Sequence, residues 1–78
     1  MNIQEVKKKR ISYEKDFKKI EGKLLGHLGD EEFADLEKKQ NTLYKKIILC
    51  NMIIDSYNAS DEEDVQQLLK ILEKGSVL

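Results

Sequence analysis

The chain has 78 residues, of which 40% are hydrophobic and 37% are charged, with 14 basic side chains against 15 acidic ones. A chain of this length forms one domain at most, so we expect a single domain over residues 1–78. Its core must be small, which leaves little material for a catalytic cleft. The near balance of charge gives the whole molecule no strong preference for nucleic acid or membranes.

Cysteine usage and apolar runs indicate the compartment. Cys50 is the single cysteine, which excludes an internal disulfide and fits a reducing environment. The longest apolar run, from Ile47 to Ile54, is interrupted by Asn51 and is far shorter than the roughly 20 residues that cross a bilayer. No apolar stretch follows the basic cluster near the N-terminus, as a secretory signal would require. We therefore expect a cytoplasmic protein with no membrane insertion.

The first predicted helix covers residues 3–25. Its apolar positions alternate in steps of three and four, with Arg10 in one slot, which is the spacing of a coiled-coil seam. The seam residues are Ile3, Val6, Tyr13, Phe17, Ile20 and Leu24. Residues 26–29 contain two glycines and are predicted to connect to the next helix, with Gly26 taking the left-handed conformation that ends a helix.

The second predicted helix covers residues 31–57, with Asp30 as its N-cap. It has the same three-and-four spacing, at Phe33, Leu36, Gln40, Leu43, Ile47, Cys50, Ile54 and Tyr57. Because the connection is short, the two helices should lie antiparallel and pair along their seams.

The third predicted helix covers residues 61–74. Ser60 and Glu63 have the spacing of a capping box, and Gly75 is a predicted stop. Val65, Leu68, Leu69 and Leu72 form one apolar stripe. The predicted fold is therefore all-α: an antiparallel, coiled-coil-like helical hairpin with a short third helix. If the third helix folds back onto the hairpin, the result is a three-helix bundle.

A surplus apolar stripe follows the second half of helix two, on the side away from its seam. It consists of Ile48, Leu49, Met52 and Ile53. Helix three could fold back and cover this stripe, or a helical partner or a second copy of the chain could cover part of it. We therefore predict a partner-binding surface at Ile48, Leu49, Met52 and Ile53, with Val65, Leu68, Leu69 and Leu72 as cover or as a second contact.

Charge is divided unevenly along the chain. Residues 1–29 carry eight bases and four acids, whereas residues 60–78 carry two bases and five acids. The run Lys7, Lys8, Lys9 and Arg10 is a candidate patch for nucleic acid or for an acidic partner. It supports an alternative hypothesis, a homodimeric plasmid or phage regulator that binds RNA or DNA. Nucleic acid is the less favoured partner, because aromatic residues occupy core positions rather than interleaving with the basic ones.

Residues capable of chemistry are sparse. His27 is the only histidine, and no second ligand lies at metal-binding spacing from it. No phosphate-binding glycine loop or nucleophile elbow is present. We expect a non-enzyme with no catalytic residues, metal or cofactor.

Several features of the first 60 residues occur together in one known family. They are a charged amphipathic first helix, a Gly29-Asp30 turn followed by Phe33, and an Ile-rich end of helix two over residues 44–54. In these the chain resembles the small helical-hairpin co-chaperones that hold the needle subunit in bacterial type III secretion (the YscE type). The resemblance implies a cytoplasmic chaperone or adaptor subunit. Such a subunit pairs with a helical-repeat chaperone and keeps a polymerising needle protein monomeric.

Overall fold

The structure, a computed structural model, describes residues 2–74 and contains three α-helices. These are α1 (Ile3–Leu24), α2 (Asp30–Asn58) and α3 (Glu62–Glu73). Residues 2–74 contain no strand, which confirms the all-α class. Helix α2 packs against both α1 and α3. The predicted stop at Gly75 lies outside the described residues.

The ends of the first two helices differ in detail from the predictions. The Asn2 side chain accepts a hydrogen bond from the backbone N–H of Glu5 at 2.9 Å and caps α1. The N-cap of α2 is Gly29, whereas Asp30 already lies in the first turn. There its carboxylate still favours the positive end of the helix dipole, so the charge pattern located the helix start but not the cap. Gly26 does not adopt the predicted left-handed conformation.

The connection between α2 and α3 contains the left-handed residue instead. Ser60 has a φ of 60°. Its N–H donates to the carbonyl of Tyr57, and the next N–H, of Asp61, donates to the carbonyl of Ser56. This pair of bonds is a Schellman motif, which satisfies two carbonyls at the end of α2. The predicted Ser60 capping box is therefore wrong: the Asp61 carboxylate caps α3 by accepting from the Asp64 N–H at 3.1 Å.

Side-chain pairs define the antiparallel hairpin. Arg10 Nη1 donates to Asn51 Oδ1 at 3.3 Å near the open end. Nearer the turn, the rings of Phe17 and Tyr44 lie 6.2 Å apart between centroids. Because the earlier residue of α1 pairs with the later residue of α2, the chain direction reverses as predicted.

The core occupies one end of the molecule, which measures 46 × 19 × 16 Å. Every buried residue comes from the first turns of α1, the second half of α2 or α3. They are Val6, Leu49, Cys50, Ile53, Ile54, Val65, Leu68, Leu69 and Leu72. No residue from 7 to 48 is buried. The half of the hairpin near the turn is thus held by partly buried seam residues alone.

Candidate interaction surfaces

The surplus stripe of α2 is divided between two environments. Leu49 and Ile53 are buried under α3. The predicted cover on α3 contacts them within one cluster, through Val65, Leu68, Leu69 and Leu72. Six of the eight predicted partner-binding residues therefore belong to the core of the chain itself. In this fold helix three covers Leu49 and Ile53 in cis, and a partner-binding role for these six residues stays a prediction.

Ile48 and Met52 remain on the surface, 40% and 48% exposed. Tyr44, one turn earlier on α2, is 54% exposed. Residues four apart share one side of a helix, so these three side chains form a continuous apolar strip, here termed the outer stripe. Tyr44 was not among the predicted site residues, although its spacing of four from Ile48 was readable from the sequence.

The basic run at the start of α1 does not form one face. Successive residues of a helix project about 100° apart, so four consecutive cations point in different directions. Arg10 points toward α2, where it donates to Asn51, and its Nε lies 3.8 Å from the Glu14 carboxylate. Lys8 is exposed, whereas Lys7 and Lys9 are half-buried. The arrangement gives no broad basic surface at this position.

A basic groove does exist at the other end of the hairpin. It has a volume of about 570 Å³ and lies between α1 and α2, toward the turn. Its apolar lining consists of Ile20, Leu36 and Leu43. Its charged lining consists of Asp16 and five lysines: Lys19, Lys23, Lys38, Lys39 and Lys46. We term this site the lysine groove. It was missed from the sequence because its lysines come from two helices and meet only when the hairpin closes.

The two residues with possible chemistry are poorly placed for it. Cys50 is fully buried, and this burial raises the pKa of its thiol, an effect that the charges of Arg10 and Lys9 partly oppose. A raised pKa keeps the sulfur as the unreactive thiol. His27 is exposed in the connection between α1 and α2. Within residues 2–74, no three His, Cys, Asp or Glu side chains are grouped to hold a metal ion.

None of the helices described here has the length and apolar character needed to span a membrane. Comparison of the chain with protein-family models, with curated proteins and with solved structures found no match.

Proposed function

We propose that this chain is a non-enzymatic protein-interaction module that binds a helical partner protein through the outer stripe. One observation carries the proposal: three large apolar side chains, Tyr44, Ile48 and Met52, lie one turn apart on α2 and remain 40–54% exposed, even though the Tyr44 ring also contacts Phe17 of α1. Scattered exposed apolar residues are ordinary on a protein surface, but a contiguous strip favours an interface.

The shape of the stripe favours a helix as its partner. Side chains at steps of four form a ridge on α2 that is inclined to the helix axis, and such ridges pack into the grooves of another helix. Fully burying a large aliphatic side chain contributes about 1.5–3 kcal/mol. Ile48 and Met52 are already half-covered, so each adds roughly half of that on binding. Such a contact suits an adaptor that needs additional contacts elsewhere for tight binding.

The narrower hypothesis is a cytoplasmic chaperone or adaptor subunit of the type III secretion needle co-chaperone kind. It rests on the resemblance of the Gly29-Asp30 turn, Phe33 and the Ile-rich end of helix two to that family. The outer stripe lies within this Ile-rich end, where a helical-repeat partner would make its contact. A second copy of the chain is the alternative occupant of the same surface.

The test replaces Ile48 and Met52 together by aspartate. As a control, Leu25→Asp introduces a single aspartate, half of the added charge, at an apolar residue that is 87% exposed and lies near the turn, away from the stripe. Tagged wild-type and variant chains are used to capture partners from the source cells, and captured proteins are identified by mass spectrometry. Circular dichroism establishes that each variant keeps its helices.

The proposal expects a helical protein that wild type and Leu25→Asp capture and the double variant does not. Equal capture of that protein by the folded double variant contradicts it. Sedimentation of the purified chain tests whether a second copy of the chain occupies the stripe. A wild-type dimer that becomes a monomer in the double variant would make the stripe a self-association surface. That result would overturn the adaptor hypothesis.

A further inference from the structure

Lysines outnumber acids in the lining of the lysine groove. The groove lining carries five lysines against Asp16 alone. The ammonium of Lys46 lies 5.5 Å from the centroid of the Tyr13 ring. None of the five lysines forms an ion pair within 4.0 Å with any residue from 2 to 74. The groove therefore presents five lysines and one carboxylate beside an apolar floor.

The groove continues the surface on which α3 packs. Residues seven apart lie on the same side of a helix in this geometry. Lys46 precedes the buried Ile53 by seven residues, and Leu43 likewise precedes Cys50. On α1, Ile20 follows Tyr13 by the same interval, and Tyr13 packs against the core. Helix α3 thus packs on the α2 side of the open end of this face, and the lysine groove lies beyond the part that α3 covers.

Helix α3 shows what chemistry this face accepts. It is amphipathic, with Val65, Leu68, Leu69 and Leu72 buried against the hairpin. Its twelve residues contain four acids and one lysine, a net charge of −3. An acidic amphipathic helix is therefore already accommodated at the open end of this face. The same kind of helix fits better beside the five lysines, because its carboxylates gain opposite charges along the rim.

We propose that the lysine groove binds an acidic amphipathic helix of a partner protein, aligned end to end with α3. The α2 part of the lining, from Leu36 to Lys46, spans about 15 Å, which is three helical turns. The apolar floor of Ile20, Leu36 and Leu43 favours a peptide with leucine-like side chains over a nucleic acid, since nucleic-acid sites pair cations with aromatic stacking surfaces.

This inference goes beyond the proposed function, because the groove and the outer stripe lie on different sides of α2. Lys46 and Ile48 are two residues apart, which places their side chains about 200° apart around the helix. Each surface can therefore be altered without changing the other. Failure of one proposal leaves the other standing.

The experiment measures binding of a labelled synthetic peptide of about 12 residues to the purified full chain by fluorescence anisotropy. The peptide has leucines at helical spacing and glutamates elsewhere. A peptide with lysines replacing the glutamates, and an oligothymidylate of similar length, are the comparison probes. The groove variant is Lys19→Glu/Lys39→Glu, with one exposed lysine from each helix. The matched control is Lys8→Glu/Lys15→Glu, also exposed but outside the groove.

We expect the acidic peptide to bind wild type and the control equally. Two charge reversals in the groove should weaken this binding about tenfold, and added salt should weaken it further. Lys23→Glu/Lys38→Glu repeats the test should the first variant lose helicity. No binding of the acidic peptide at about 1 mM, or binding that neither groove variant weakens, overturns the proposal. Tighter, groove-dependent binding of the oligothymidylate also overturns it and assigns the site to a phosphate backbone.

Discussion

Ser60 shows how a single residue positions a whole helix. Its left-handed φ of 60° turns the chain after α2 so that α3 can run back along the hairpin. For a residue with a Cβ this conformation costs roughly 1–2 kcal/mol, and glycine adopts it without that cost. The chain has a serine here, although glycine is the residue most common at this position of a Schellman motif. Position 60 is therefore a place where the native sequence is not the most stable one.

Replacing Ser60 by glycine should stabilise the fold. Relief of the left-handed strain outweighs the larger entropy of glycine in the unfolded chain, so we expect a gain of about 0.5–1 kcal/mol in the free energy of unfolding. Urea denaturation followed by circular dichroism measures it. The matched control is Ala59→Gly, where φ is −82° and glycine has no strain to relieve, so this variant should lose stability. A Ser60→Gly variant no more stable than wild type would contradict the argument.

At the scale of the helices, periodicity and charge predicted the elements but not which face each one covers. The seams of α1 and α2 were readable because three-and-four spacing specifies one side of a helix. The sequence did not show which residues of the surplus stripe α3 covers. Ile48 and Leu49 project about 100° apart on α2, and α3 is wide enough to cover only one of them. Which one it covers depends on the turn at Ser60. That turn is closed by local bonds between residues 56 and 61, but a serine at its left-handed position gives no sequence signal for it.

The lysine groove was unreadable from the sequence for a related reason. Lys19 and Lys39 are 20 positions apart in the chain and line one groove only because the hairpin brings α1 beside α2. A count of charges over each helix does not show which of its lysines face the groove. To recognise a surface charge pattern of this kind, one must know the register of α1 against α2. Contacts such as the hydrogen bond between Arg10 and Asn51 define that register.

The two faces of α2 can be separated by truncating adjacent residues. Leu49→Ala removes a side chain that is 8% exposed and leaves a cavity under α3, so we expect it to cost about 2–4 kcal/mol. Ile48→Ala acts on the outer stripe and should cost no more than about 1 kcal/mol. Denaturant unfolding of both variants measures the difference. Equal costs would mean that α3 does not cover Leu49 in solution, and the surplus stripe would again be open to a partner.

For the whole molecule, the important asymmetry is between the two ends of the hairpin. The open end holds every buried residue of the described chain, including the fully buried Val6, Cys50 and Ile53. The turn end contains the exposed Leu25 and Phe33. Long-range apolar burial is what stabilises a helix beyond its weak intrinsic propensity. The lysine groove therefore lies in the half of the molecule with the least support, where a bound helix would add the burial that α3 provides at the other end.

Hydrogen exchange of backbone amides should reveal this gradient within a single helix. In α2, amides at 49–54 lie in the core and should exchange only on global unfolding, whereas amides at 36–43 can open locally. After correction for intrinsic rates we expect at least about tenfold faster exchange at 36–43, measured by NMR or mass spectrometry. Adding the acidic peptide should then slow exchange at 36–43 and leave 49–54 unchanged, because the occupied groove stabilises the turn end selectively. Uniform protection along α2 in the free protein would show that the seam alone holds the turn end as firmly as the core holds the open end.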